Sequence, residues 1–323
     1  MDRRQALTAL GATIAAAWGS GASAQTTSGK PARFIVGYPA GGVADFAART
    51  VVNALANVPA IVENRSGAAG NIALDYVSRQ PGDAAVYGVF ANSIVSTNPF
   101  VPQLAAKNVD PMKDLVPVAA LADLVLALAV TTDLGVENLD QFLAKARTPG
   151  KPLRIGLAGL GTPHHFSALL LQRTANLDLT LVPYKGGAPM IADAAGGHLD
   201  AVFTTLPVGG PMVAAGKLRW IAIVQPTTLP SLPGIPSLAG VFQGATVPSW
   251  VGVWAPANTP PETVNAMHAA CNSALRDPSV SARLRENGLE PLNLSLQETA
   301  KLIADERTFM KDFLGKVKLD FAT

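Results

Sequence analysis

The sequence predicts an α/β protein of two doubly wound lobes joined by crossing strands. Three observations predict it. Short apolar runs alternate with helix-period segments from Phe34 onward. The alternation restarts after Asp133. A stretch rich in proline and glycine, Gln225 to Pro248, then separates the second series from a last strand and a helical C-terminal third. Strand–helix–strand alternation implies a mostly parallel sheet with helices on both faces. The 323 residues suit two domains at ~100–200 residues per domain. The first lobe is expected from 31–123 and 249–323, the second from 124–248.

The N-terminal 24 residues read as a signal peptide. Arg3 and Arg4 form a positive start, Ala6 to Trp18 an apolar stretch, and Ala22-Ser23-Ala24 the small residues a signal peptidase requires. A membrane anchor is disfavoured, because the run is short for a hydrocarbon core of ~30 Å. The twin arginine only partly matches a twin-arginine signal, so Sec and Tat export stay open. Gln25 would begin the mature chain in the periplasm, with 25–30 a flexible leader.

Phe34 to Tyr38 reads as a strand, Pro39-Ala40-Gly41-Gly42 as a turn, and Ala44 to Leu55 as a helix with Phe46, Ala47, Val51 and Leu55 on one face. Ala60 to Asn64 and Val86 to Phe90 are further strands. Continuous apolar runs of this kind mark parallel strands buried on both faces. Ala119 to Val130 is strongly apolar, but it is short and contains Asp123, so it is no membrane span. In the second series Leu153 to Leu157 is a strand, Gly159-Leu160-Gly161 a turn, and Pro163 to Ala175 a helix. Leu179 to Tyr184, Leu199 to Phe203, Arg219 to Val224 and Val251 to Trp254 complete the strands. Thr259-Pro260-Pro261-Glu262 has capping-box spacing before a helix striped by Val264, Met267, Cys271 and Leu275. Ser295-Leu296-Gln297-Glu298 repeats that signal before the last helix.

Composition excludes several classes of function. The net charge of +2, with no basic run, argues against nucleic acid. A single cysteine excludes an internal disulfide and a cysteine-rich metal site. No Gly-x-Ser-x-Gly elbow and no carboxylate pair in a motif context support catalysis. No cofactor is expected.

Four turns carry the chemistry. Gly41-Gly42-Val43-Ala44-Asp45 joins a strand to a helix. Its free N–H groups and positive dipole end suit an anion. Asp45 would cap that helix or accept a bond from a ligand's ammonium or hydroxyl. Gly159-Leu160-Gly161-Thr162-Pro163 enters the second such helix, with Thr162 at the N-cap and Pro163 at the first helical position. His164 and His165 are adjacent on a helix and point about 100° apart, which disfavours a shared metal. His164 is the candidate ligand donor and His165 a packing residue. Asn92 with Ser93, and Thr204 with Thr205, close two strands at ends where open α/β sheets bind ligands. The candidate ligand site is therefore Tyr38, Gly41, Gly42, Asp45, Asn92, Ser93, Gly161, Thr162, His164, Thr204 and Thr205.

Tyr38-Pro39-Ala40-Gly41-Gly42-x-x-Asp45 resembles the opening motif of the Bug proteins, the substrate-binding components of tripartite tricarboxylate transporters, also called the TctC family. Val62-Glu63-Asn64-Arg65-Ser66-Gly67-Ala68-Ala69-Gly70-Asn71-Ile72 resembles their V-E-N-R-P-G-A-G-G-N-I. Val182 to Gly186, Ala214 to Arg219, and Ser249-Trp250 with Ala255 to Pro260 match further segments in order. The resemblance implies a Venus-flytrap fold of the type II periplasmic binding class. It implies a carboxylate gripped by backbone N–H groups and waters at two loop-to-helix junctions, which here are the Gly41-Gly42 and Gly161-Thr162 turns. It also implies a monomeric receptor serving integral membrane permease subunits of the TctA and TctB kind. Family ligands include di- and tricarboxylates, amino acids and aromatic acids. Ala44, Pro163-His164 and Thr204-Thr205 depart from the family pattern, the last pair standing where Asp-Asn is common. A receptor presenting its loaded form to a sensor kinase, and an enzyme on the same fold, are the competing expectations.

Overall fold

The computed structural model describes residues 31–184, 186–229, 232–242, 247 and 249–316. The expected signal peptide, its cut after Ala24 and the leader lie outside the described residues. In chain order the strands are β1 (Ala32–Val36), β2 (Ala60–Asn64), β3 (Val86–Ala91), β4 (Leu115–Leu124), β5 (Leu126–Thr131), β6 (Leu153–Leu157), β7 (Leu179–Pro183), β8 (Ala201–Thr205), β9 (Leu218–Ile223), β10 (Trp250–Pro256) and β11 (Leu289–Pro291). They form two sheets, ordered β11-β4-β10-β3-β1-β2 and β7-β6-β8-β5-β9.

The apolar run of β1 explains the layering of the first sheet. Phe34 and Val36 face a core built with Ala47 and Val51 of the Val43–Val52 helix. Ile35 faces the opposite core, with Leu74 and Val77 of the Asn71–Ser78 helix. Phe34, Ile35 and Val36 are all fully buried. Each such side chain contributes roughly 1.5–3 kcal/mol through burial. The second sheet repeats the plan. Ile155, Leu157 and Phe203 pack on Phe166 and Leu171 of the Pro163–Thr174 helix. Val202 packs on Met190 and Ile191 of the Gly187–Ala195 helix on the other face. The molecule is an α/β protein with two doubly wound lobes.

The apolar stretch from Ala119 to Val130 is the first crossing. Its first part is the end of β4 in one sheet and its last part is β5 in the other, with Val125 between them. Periodicity did not reveal these strands, because both are buried on both faces and read as one unbroken run. The Val125 N–H is satisfied by Gly288 O at 3.1 Å. Gln225 begins the return crossing, and its Nε2 donates to Leu124 O at 2.8 Å.

Register places the functional ends of both sheets at this crossing. β3 runs parallel to β1 and ends with Ala91 opposite Val251 of antiparallel β10. The next β10 residue, Trp250, is opposite Asp123 of β4. On the far side Leu126 of β5 is opposite Thr205, the last residue of β8. β8 is parallel to β6. The C-terminal ends of the parallel strands in both sheets therefore converge on Leu124-Val125-Leu126.

The structure adds detail to three sequence expectations. The last helix, Leu296–Leu314, was expected wholly in the first lobe. It buries Ile303 in a first-sheet core and Met310 and Phe313 in the second-sheet core, because its 19 residues outreach one lobe. The Thr259 capping box does not form. Pro260 is the N-cap of the Pro261–Arg276 helix, and the buried Thr259 hydroxyl has no partner among the described residues. Consecutive prolines push the helix start one residue past the hydroxyl. Thr204 and Thr205 are the last residues of β8, as the sequence expectation has them. The Ser295 capping box forms as read, with Glu298 N donating to Ser295 Oγ at 3.2 Å and Ser295 N to Glu298 Oε2 at 2.8 Å.

Candidate functional site

The two glycine junctions share one backbone plan. Gly41 has φ +77° and Gly161 φ +70°, the left-handed region that favours glycine. The next residue in each, Gly42 or Thr162, is extended at φ −74° or −92° and is the N-cap of a helix. In each, the N–H of the left-handed glycine donates to the side chain four residues on. Gly41 N reaches Asp45 Oδ2 at 2.9 Å, and Gly161 N reaches His165 Nδ1 at 3.1 Å. This bond folds the turn back over the helix start and fixes where the first-turn N–H groups point.

The ties differ in chemistry. Asp45 is 3% exposed and accepts from Arg49 Nε at 3.0 Å and from Asn64 Nδ2 at 2.8 Å besides Gly41. Burial alone would raise its carboxyl. The bonds from Arg49, Gly41 and Asn64 outweigh burial and hold it below the usual carboxylate range. Asn64 Nδ2 also donates to Tyr38 O at 3.1 Å, so the end of β2 holds the turn after β1. In the second junction His165 must be neutral at Nδ1 to accept the Gly161 N–H. Burial provides that condition by pushing the imidazole down to about 4.

The capping differs too. No side chain caps the Val43–Val52 helix, since Gly42 has none. Its first N–H groups remain available to an outside acceptor. Thr162 Oγ1 caps its own helix by accepting from His165 N at 3.4 Å, and it donates to Gly159 O at 2.7 Å.

The other candidates divide into three groups. Tyr38 closes the first junction from the β3 side. Its hydroxyl accepts from Ala91 N at 3.2 Å and meets Ser93. Burial raises that hydroxyl above its usual range, against those two bonds. Asn92 is 2% exposed and committed to the framework. Its Nδ2 donates to Glu306 Oε2 at 3.1 Å, and its Oδ1 accepts from Trp250 N at 3.1 Å. In the second lobe, His164 Nδ1 and the Thr204 hydroxyl are buried without a partner among the described residues, and burial pushes His164 down to about 4. Thr205 is the N-cap of the Leu206–Ala214 helix but does not cap it with its side chain. One further feature flanks the first junction. Ala68 (φ +48°), Ala69 (φ +54°) and Gly70 (φ +93°) form a left-handed run before the Asn71–Ser78 helix. Such strain, of order 1–2 kcal/mol per alanine, collects at functional loops.

Residues 43–319 match the family model described as "Tripartite tricarboxylate transporter family receptor", TctC. The chain belongs to the TctC family. It is 29% identical over 314 residues to the protein BugT of Bordetella pertussis, covering 95% of each chain. It is similar to the structure of an R. palustris protein with adipate, at TM-score 0.75 and 30% identity over 88% of this chain and 96% of that one. It is also similar to MatC from Rhodopseudomonas palustris with bound malate, at TM-score 0.70 and 25% identity over 88% and 98%. TctC proteins are solute-binding receptors, and the two-sheet architecture is that of periplasmic binding proteins.

Sequence reasoning missed Arg49, Asn64 and His165, which build the junctions. A signal for them was present. Gly41-x-x-x-Asp45 and Gly161-x-x-x-His165 have the same spacing, one helical turn from a left-handed glycine to a side-chain acceptor. The Asp45 carboxylate does not cap the helix, and it accepts bonds from three residues of its own lobe.

Proposed function

We propose that this protein is an exported receptor that captures a small carboxylate between its two lobes and passes it, unaltered, to the membrane subunits of a tripartite transporter. The observation that carries the reading is the uncapped N-terminus of the Val43–Val52 helix, beside a buried and fully engaged Asp45, at the sheet end that meets the crossing. Free N–H donors and the positive helix end favour an anion there. The acidic group nearby is already neutralised by Arg49. The second junction, at Gly161 and Thr162, approaches the same anion from the other lobe. A ligand touching both would favour closure by its differential affinity for that state. The lobes comprise 31–124 with most of 249–316, and 126–247. Tyr38, Gly41, Gly42 and Ser93 serve the first half of the site; Gly161, Thr162, His164, Thr204 and Thr205 serve the second. Asp45 and Asn92 support it from behind. The first 24 residues direct export to the periplasm.

The neighbours bound to adipate and malate support a dicarboxylate class. Calorimetric titration of the mature chain with adipate and malate, alongside mass spectrometry of any acid carried through native purification, tests the reading. Saturable binding of a carboxylate, with unchanged ligand recovered afterwards, is expected. A chain that binds no carboxylate across a panel of di- and tricarboxylates, amino acids and aromatic acids, or that converts one, overturns it.

A further inference from the structure

The last helix reaches the first half of the site from behind. Glu306 of the Leu296–Leu314 helix is 7% exposed, and each of its carboxylate oxygens receives a donor. Oε1 accepts from Trp250 Nε1 at 2.6 Å, and Oε2 accepts from Asn92 Nδ2 at 3.1 Å. Asn92 and Trp250 are joined to each other twice. Asn92 N donates to Trp250 O at 2.8 Å, and Trp250 N donates to Asn92 Oδ1 at 3.1 Å. The three residues close a ring of hydrogen bonds inside the protein.

The chemistry of the ring fixes its orientation. Trp250 N requires an acceptor, so Asn92 turns Oδ1 to it and Nδ2 to Glu306. Both groups that reach Glu306 are then donors, and a carboxylate offers an acceptor to each. A glutamine would accept from one and turn its own N–H against the other.

The ring touches the site through the backbone. Asn92 follows Ala91, whose N–H donates to the Tyr38 hydroxyl at 3.2 Å, and precedes Ser93, which meets the same hydroxyl. A shift of Asn92 therefore moves the chain on which Tyr38 and Ser93 are set. The helix holds the same segment a second time, because Arg307 donates to Val95 O and stands 5.1 Å from the Phe100 ring. The helix also has a foot in each lobe. Ile303 lies in a first-sheet core, and Met310 and Phe313 lie in the second-sheet core. From Glu306 to Phe313 is about 10 Å of continuous helix.

We propose that Glu306 is a positioning residue for solute binding: it fixes the Asn92–Ser93 turn behind the first half of the site, and it does so from a helix bedded in the second lobe. The affinity of the site then depends on how that helix is seated. The inference rests on the reading of Tyr38 and Ser93 as solute contacts, but the positioning itself can be measured without any solute.

Backbone amide and indole NMR of the ligand-free mature protein tests it, together with calorimetry against adipate and malate. Glu306→Gln sets an amide N–H against one donor of the ring, and Asn92→Asp sets a second carboxylate against Glu306. Each should move the Ala91 and Ser93 amide signals and the Trp250 indole signal. Each should weaken whichever acid binds the parent about tenfold, the equivalent of one lost buried bond. The double variant, Asn92→Asp with Glu306→Gln, rebuilds the ring in reverse. Its carboxylate at 92 accepts from Trp250 N and from the amide at 306, whose oxygen accepts from Trp250 Nε1. Signals and affinity should return toward the parent, which a general loss of stability would not produce. Phe313→Ala should displace the Ser93 signal from the second lobe. Single variants with the parent's affinity and Ala91 and Ser93 signals overturn the proposal. A double variant no better than the singles, or an unmoved Ser93 signal in Phe313→Ala, overturns it too. Should a single variant fail to fold, a folded double variant with parent affinity supports the ring, and an unfolded one overturns it. A parent that binds neither acid counts against the receptor reading alone, and the amide signals still decide the positioning.

Discussion

The junction after β1 and the junction after β6 have nearly the same backbone, yet one is tied by an ion pair and left uncapped, while the other is tied by a neutral imidazole and caps itself. In the first, Asp45 gathers Gly41, Arg49 and Asn64, and Gly42 leaves the helix donors open. In the second, His165 accepts from Gly161, and the Thr162 hydroxyl already occupies a first-turn N–H. The difference teaches that a shared turn geometry does not make equal anion sites. What matters is how many donors the protein's own side chains have consumed. Under the proposed function, the first junction is the stronger grip and the second the weaker partner that completes closure.

Giving the first junction the cap it lacks breaks this asymmetry most sharply. Gly42 is at φ −74°, which any residue adopts, and an added Cβ would meet Pro39 O at 3.1 Å, a contact that a small shift relieves. In Gly42→Asp the new carboxylate is an N-cap competing with the ligand for the same donors. Adipate or malate, whichever binds the parent, should lose at least ~100-fold in affinity by calorimetry, equivalent to about 3 kcal/mol. The melting temperature should hold or rise slightly. Parent-like affinity would mean that the anion lies elsewhere.

Asp45→Ala tests the tie itself. It strands the Gly41 N–H and the Arg49 guanidinium. Because the Arg49 side chain is 46% exposed and screened by water, the expected cost is about 2 kcal/mol, below that of a fully buried pair. Urea denaturation measures it, and a loss under about 0.5 kcal/mol would make the carboxylate dispensable to the turn.

Acid separates the two junctions. His165 is lowered from 6.5 to about 4, so the unfolded chain takes up the proton first. The stability it contributes is complete above pH 6.5 and drains away as pH falls toward 4. Asp45 lies below its ordinary 3.8, so its contribution persists through that window and fails only at lower pH. Comparing the parent with His165→Phe at the two ends of the window isolates this residue from His164 and the acids. The parent should lose more stability on acidification than the variant does; equal losses would show that the imidazole is not the tie. The smallest effect belongs to Thr162→Ala, which removes one cap and should cost about 1 kcal/mol in the same assay.

Legibility followed the local character of each signal. Both glycine turns, the Thr162 cap and the Ser295 capping box are set by contacts within a few residues, and the sequence displays them. β4 and β5 were not legible as separate strands, because burial on both faces erases periodicity. Asn92 reads as a ligand residue because it ends a strand, and only the fold shows that its amide donates to Glu306, 214 residues away. Asp45 carried the right charge in the right turn. Only the arrival of Asn64 from β2 shows that its carboxylate is committed to the fold.

By itself, then, the sequence determined the α/β class, the alternation that winds each sheet, and the two left-handed glycines where a strand turns into a helix. These depend on side-chain period, on glycine's missing Cβ and on capping geometry, all of which act over one or two turns of chain. Tertiary structure decided which polar groups remained free. That outcome depends on which distant donors and acceptors packing brings together, as with Asn64 on Asp45, Glu306 on Asn92 and Gln225 on Asp123. A buried polar group must find a partner, and the chain's fold, not its local sequence, sets which partners are within reach.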